Sequence, residues 1–223
     1  MLYGNYALSG KIDLNKTVKQ LGLDDKEPFL PCEEQTTLEQ LLTARSGIYL
    51  PSGNNRLDSQ TPKRGTEYPG THFEYNNWDF NAAGTAFEKL TGKNIYEALE
   101  SDIARHIGMQ DYERSHQKKI PTYVSVHPEY AMYLSTRDMA RLGLLMQRGG
   151  NWNGRQIVPS DWVHYTTTLI TPFNEINPTF LRIPGRPERW GYGVLWWVWD
   201  APIFPGNIYD GPLLGARCAG SCP

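Results

Sequence analysis

The stretch Gly191-Tyr192-Gly193-Val194-Leu195-Trp196-Trp197-Val198-Trp199 most limits what this chain can fold into. Aromatic and β-branched residues crowd it, and no polar residue alternates with them. It therefore reads as one strand covered on both faces, with residues 211–217 as the candidate partner. Nearly everything before it reads as helix or loop. A sheet confined to the end of a chain needs further strands, and a sheet assembled from both chain ends would supply them. The expectation from the residues is a mostly helical chain with an incomplete sheet at its end. The length allows one large domain or two small ones, with about 13–185 expected to be mainly helical and about 186–217 to hold the strands. At 223 residues, 39% hydrophobic and 12% aromatic, the chain can bury a core.

The helical part is punctuated by local signals. Residues 2–9 read as the tail of a helix closed by Gly10, and Ile12, Leu14, Val18, Leu21 and Leu23 as a second short helical segment. A chain that opens on the end of a buried helix is expected to be a truncated piece. Thr36-Thr37-Leu38-Glu39 has the form of a capping box, and a polar loop follows over 51–70. Residues 77–90 give the best helix, with Trp78, Ala82, Ala83, Ala86, Phe87 and Leu90 on one face. Asp79, Asn81, Glu88 and Lys89 lie on the other, and Gly92 is the stop. Further helices are expected over 94–106, over 135–148 with Met139, Leu142, Leu145 and Met146 inward, and over 160–167. Asn151-Trp152-Asn153-Gly154-Arg155 reads as a tight turn between short extended pieces.

Charge and composition exclude several partners. The formal net charge is −2 with no basic stripe, so nucleic acid is excluded. The longest apolar run, Val194 to Trp199, is far too short to span a membrane. Met1-Leu2-Tyr3-Gly4-Asn5-Tyr6 does not read as a secretory signal, and no compartment is assigned. Cys218 and Cys222 have no companion His or Cys at zinc spacing, so no metal and no other cofactor is expected.

The candidate chemistry lies in Pro69-Gly70-Thr71-His72-Phe73-Glu74-Tyr75-Asn76-Asn77-Trp78. Tyr75 and Asn77 stand where a loop turns into a helix, a placement that can hold a phenol and a carboxamide over one pocket. The plain alternative is that Tyr75 packs and Asn77 caps the helix. His72 is a candidate pocket residue, whereas His106, His116, His127 and His164 read as surface or cap residues. The tryptophans at 190, 196, 197 and 199 read as core in preference to a sugar-stacking platform.

In order along the chain, several segments resemble the serine β-lactamase-related hydrolases, a family that includes class C β-lactamases, penicillin-binding-protein-like enzymes and family VIII-like esterases. They are Thr37-Leu38-Glu39-Gln40-Leu41-Leu42-Thr43-Ala44-Arg45-Ser46-Gly47-Ile48, then Pro69-Gly70 with Phe73 and Tyr75-Asn76-Asn77, then Gly84, Glu88 and Thr91-Gly92-Lys93. Ile107-Gly108-Met109 with Asp111, the run Ser135-Thr136-Arg137-Asp138-Met139-Ala140-Arg141-Leu142-Gly143-Leu144-Leu145, Gly149-Gly150 with Pro159 and Trp162, and Gly191-Tyr192-Gly193 with Trp196-Trp197 complete the set, which covers roughly 2–216.

The resemblance implies a partial α/β (α+β) serine β-lactamase-like fold, a mostly helical domain plus an incomplete antiparallel sheet with 1–223 as a single domain fragment, and it implies acyl transfer. A Ser-x-x-Lys serine attacks a carbonyl, Tyr75 relays its proton and Asn77 positions the lysine and substrate amide, on a small-molecule ester, β-lactam or peptidyl amide. Relatives of this kind are often periplasmic or secreted.

Two departures stand against activity of this polypeptide. The only Ser-x-x-Lys is Ser115-His116-Gln117-Lys118, in a polar stretch broken by Pro121, and it reads as a decoy. After Gly215-Ala216 the family's glycine-rich strand gives way to Arg217-Cys218-Ala219-Gly220-Ser221-Cys222-Pro223, which reads as a fragment end or a frameshift. The chain as given is expected to be inactive, with a non-catalytic remnant or binding protein as the alternative. A long apolar strand lacking neighbours invites pairing with another copy. Size exclusion should therefore show oligomers, and tryptophan-reported structure should melt before helical signal; a clean monomer with one coincident transition would overturn this.

Overall fold

Threonine side chains decide where the first core helices begin. Thr17 Oγ1 accepts from the Gln20 N–H (3.2 Å) while Gln20 Oε1 accepts from the Thr17 N–H (2.9 Å). Thr37 and Gln40 repeat the exchange at 3.3 and 2.9 Å. Each pair satisfies main-chain donors that a helix start leaves open. They open α2 (Val18–Leu21) and α3 (Leu38–Leu42), after α1 (Leu2–Ala7). The second box lies one residue later than the expected Thr36/Glu39 pair, because the Thr36 hydroxyl is taken inward, donating to the Ser46 carbonyl at 2.8 Å. The computed structural model describes residues 1–54, 57, 59–182, 189–200 and the main chain of 214–215.

The hub is α4 (Asn77–Thr91), closed by Gly92 in the left-handed region at φ 70°. Trp78, Ala82, Ala83, Ala86 and Phe87 bury one face against α3 and α1. Tyr3 and Tyr6 meet Phe87 edge-on, each at 5.4 Å between centroids, and the Tyr3 hydroxyl donates to the Ala83 carbonyl at 2.6 Å. The polar face departs from expectation, since Asp79 and Asn81 are buried. Asp79 accepts from the Ser46 hydroxyl (2.6 Å), and Asn81 Nδ2 donates to Asn54 Oδ1 (3.4 Å). Gly84 is a close-approach glycine, for a Cβ there would lie 2.3 Å from the Tyr130 ring.

The helix expected over 94–106 is built as α5 (Ile95–Leu99), a wider π turn (Glu100–Ala104) and α6 (Arg105–Ile107). Asn94 caps its start, accepting from the Tyr96 N–H, and Gly108 follows its end at φ 64°. Ser135 caps α7 (Thr136–Gln147). Leu145 and Met146 point inward as expected, but Met139 is 38% exposed and Asp138 is fully buried in its place. Asp138 is drawn in because its carboxylate accepts the Gln110 and Asp111 N–H groups at 2.9 and 3.1 Å, joining α7 to the turn after α6. Among the described residues the last α-helix is α8 (Ser160–Thr166).

Among the described residues three small antiparallel sheets accompany the helices. β1 (Lys118–Ile120) pairs with β2 (Glu129–Ala131), a hairpin that the polar sequence there did not announce. β3 (Asn151–Trp152) and β4 (Arg155–Gln156) flank the expected tight turn, with Asn153 at φ 50° and Gly154 at φ 85°. The third sheet runs in the order β5-β6-β7, from β5 (Trp190–Tyr192), β6 (Trp197–Trp199) and β7 (Leu214–Gly215). The stretch 191–199 is therefore two strands, not one. Its turn is held by the Gly193 N–H on the Trp196 carbonyl (2.8 Å), the Val194 N–H on Thr166 (3.1 Å) and the Leu195 N–H on Leu42 (3.1 Å). Gly193 permits the approach, as a Cβ there would sit 2.5 Å from the Thr166 carbonyl oxygen. The expected partner over 211–217 is realised at Leu214 and Gly215; its other residues, and Cys218 and Cys222, lie outside the described residues. Trp196 packs on the main core and Trp197 in a second cluster with Ala44, Phe73, Ile176 and Tyr192.

His127 corrects a further expectation, for it is not a surface residue but 1% exposed. Its ring lies edge-on to Trp78 at 5.3 Å, and its Nδ1 is 3.1 Å from Thr85 Oγ1. Beside it the Asp25 carboxylate accepts from Trp78 Nε1 (2.5 Å), Ser125 Oγ (2.6 Å) and the Val126 N–H (2.8 Å). Burial raises the Asp25 carboxyl, but the hydrogen bonds from Ser125, Trp78 and the main chain outweigh it and hold it below the usual range. Burial lowers the His127 imidazole, against the opposing pull of Asp25 and Asp24. Below the ordinary imidazole range the unfolded chain then takes up a proton that the folded chain resists, so stability is lost as pH falls. Urea unfolding between about pH 7 and about pH 5 should show this loss, and His127→Gln should flatten it. An unchanged slope in the variant would remove His127 as its source.

Candidate functional site

The main chain before α4 is pinned on both sides. The Glu74 N–H donates to the Ala44 carbonyl (2.9 Å), and the Tyr75 N–H to the Asn177 carbonyl (3.0 Å). Ala44 meets Glu74 from a left-handed conformation, φ 56°, rare for a residue with a Cβ. Asn76, not Asn77, caps the helix: its Oδ1 accepts from the Trp78 N–H (3.0 Å) and its Nδ2 donates to the Ile48 carbonyl (2.8 Å). Asn77 is the first helical residue, and its Nδ2 donates to the Asn54 carbonyl at 2.7 Å. Phenol and carboxamide thus leave a short, fixed segment at the mouth of one helix.

The Tyr75 ring is half-buried among aromatics, 5.1 Å from Phe80, 5.3 Å from Trp197 and 6.0 Å from Tyr192 between centroids. Burial raises the Tyr192 phenol well above its ordinary value, reinforced by Tyr75 and Asp79. Burial likewise raises the Asp79 carboxyl well above the carboxylate range, against the hydrogen bonds from Ser46. The wall behind Tyr75 is therefore apolar and weakly charged, and a proton held there is not readily given up to water.

The other candidates separate. Ser115 and Lys118 are exposed, on a single 3₁₀ turn and at the start of β1, where the Lys118 carbonyl accepts from the Tyr96 hydroxyl of α5 at 2.6 Å. His72 is half-buried, three residues before Tyr75. Sequence reasoning missed Asn54, Ser46 and Asp79, all of which brace this corner. The one available signal was Ser46-Gly47 just past α3. Among the described residues no three His, Cys, Asp or Glu side chains gather to hold a metal ion, and no helix is long and apolar enough to cross a membrane.

A family model described as Beta-lactamase matches residues 5–209. The chain belongs to the beta-lactamase family. Solved relatives agree in fold. A putative 6-aminohexanoate-dimer hydrolase from Bacillus anthracis superposes with a TM-score of 0.57 at 22% identity, covering 88% of this chain and 55% of that one. A D-stereospecific amidohydrolase from Streptomyces sp. gives 0.58 at 20% identity, covering 90% and 70%. A beta-lactamase/D-alanine carboxypeptidase from Yersinia pestis gives 0.59 at 16% identity, covering 91% and 64%. An uncharacterized protein of Alkalihalophilus pseudofirmus is 37% identical over 79 residues, 34% of this chain and 20% of that relative. This beta-lactamase-family chain therefore spans a fifth of that sequence relative and little more than half of the Bacillus anthracis hydrolase.

Tyr75→Phe keeps the ring that meets Phe80, Trp197 and Tyr192, so it should cost much less stability than removal of the ring. Tyr75→Ala should cost about 2–3 kcal/mol, below the range for a fully buried ring. Chemical denaturation of the two variants checks this, and equal losses would show that the hydroxyl carries the packing.

Proposed function

We propose that this chain carries the phenol-and-amide side of an acyl-transfer site, in a hydrolase acting on a small amide, β-lactam or ester. The observation that carries the reading is the fixed exit of Tyr75 and Asn77 at the start of α4, either side of a separate capping asparagine. Membership of the beta-lactamase family supports it, as do the names of three structural relatives, a dimer hydrolase, an amidohydrolase and a D-alanine carboxypeptidase.

In this reading a serine on a Ser-x-x-Lys helix attacks the substrate carbonyl. Tyr75 receives the proton and passes it to the leaving group, while Asn77, with its Nδ2 held by Asn54, presents its oxygen to the lysine and the substrate amide. Its proton-relay role would need a cation beside the phenol, because the aromatic wall alone does not favour the phenolate. Ser115 is not assigned as that nucleophile, because it is exposed on a single 3₁₀ turn with Lys118 on a strand, not one helical turn along the same helix. That exposure also favours a second reading of this polypeptide by itself, a non-catalytic protein that keeps the fold.

Two measurements test the proposal. Intact-mass spectrometry after incubation of this polypeptide with penicillin or a fluorophosphonate should show no stoichiometric adduct, and one on Ser115 would sink the assignment. In a polypeptide where a Ser-x-x-Lys helix accompanies this chain and turnover is measurable, Tyr75→Phe should lower kcat by about 10²–10⁴, as for a lost general acid–base group. Full turnover in that variant would remove Tyr75 from the relay.

A further inference from the structure

A cleft of about 360 Å³ opens beside the Tyr75 segment, between residues 71–73 and the loop 174–182. Its floor is apolar, made by the buried side chains of Phe73 and Ile176. Its polar groups are unusual in what they lack. His72 Nε2 is buried and has no hydrogen-bond partner, which costs a folded protein about 1–3 kcal/mol unless a ligand supplies one. Arg182 Nη1 donates to the Asn174 carbonyl at 3.2 Å, and among the described residues no carboxylate pairs with this guanidinium. Glu175, the carboxylate among the lining residues, is engaged instead by Arg45 at 3.4 Å.

A guanidinium, an unpartnered imidazole nitrogen and an apolar floor together describe one kind of guest. We infer that this cleft binds a small monocarboxylate with a hydrocarbon body, its carboxylate held by Arg182 and His72 and its body laid over Phe73 and Ile176. An arginine fork matches a carboxylate with two parallel N–H donors, and such charge-assisted bonds are about twice as strong as neutral ones. The volume is at the small end of the range for ligand pockets, about 300–1,000 Å³. The guest would not be remote from Tyr75, because Asn177, which lines the cleft, is the residue whose carbonyl accepts the Tyr75 N–H. This inference does not depend on the acyl-transfer reading, since it concerns binding alone.

The test is a titration of the purified protein by calorimetry and imidazole NMR with three probes: isocaproate, its uncharged amide isocaproamide, and inorganic phosphate. Saturable isocaproate binding that moves the His72 resonance is expected, with isocaproamide weaker by about tenfold or more, the loss expected when a charge-assisted pair is removed. Arg182→Gln should weaken isocaproate to a similar degree and leave isocaproamide unchanged. Absence of saturable isocaproate binding, or equal binding of acid and amide, would overturn the inference without recourse to any variant. Phosphate binding as tight as isocaproate would show that the floor contributes nothing and would overturn the hydrocarbon-bearing carboxylate as the guest.

Discussion

The short segment after α3 is the junction on which the rest of this structure depends. A helix end leaves its last carbonyls without partners inside the helix, and here distant segments fill that need. Leu42 accepts from the Leu195 N–H, Ala44 from the Glu74 N–H and Arg45 from the Gly70 N–H at 2.7 Å. Ser46 adds its carbonyl for Thr36 and its hydroxyl for Asp79. The aromatic hairpin, the loop bearing Tyr75 and the first turn of α4 therefore meet at one strip of backbone. Two residues pay for this arrangement with left-handed conformations despite a Cβ, Ala44 at φ 56° and Leu195 at φ 60°.

Buried and half-buried acids follow a similar logic, each answered by its own set of donors. Asp138 takes main-chain N–H groups at the end of α6, Asp25 an indole, a hydroxyl and main chain, and Asp79 a hydroxyl. Glu33 takes the Arg64 guanidinium at 2.7 and 2.9 Å. A buried carboxylate left unanswered costs far more than any of these bonds returns. Their value is thus in fixing which segments meet, and all four tie together stretches far apart in sequence.

That distance explains what the sequence disclosed and what it hid. Helix starts at Thr37, Asn94 and Ser135, stops at Gly92 and Gly108, and the turn at Asn153-Gly154 were legible, give or take a residue, because their chemistry is local. The beta-lactamase fold was legible from ordered segments along nearly the whole chain. The inward turn of Asp79 and Asp138 was not, since their donors lie on other elements, and Met139 was misplaced as a result. The reversal at 193–196 was hidden because an apolar run reports two covered faces but not where the chain folds back. At the site, the position of Tyr75 and Asn77 could be read, whereas the bracing by Asn54 and Ser46 is made across the fold and leaves no local pattern.

The paired asparagines at the entry of α4 divide two duties between neighbours. Asn76 secures the helix start, which leaves the amide of Asn77 uncommitted to folding of α4 itself. Replacing the Asn77 side chain is then a choice separate from the helix start: it removes the bond to the Asn54 carbonyl and leaves the cap of α4 in place. A single asparagine serving both ends would bind those choices together and make each change in selectivity a change in stability.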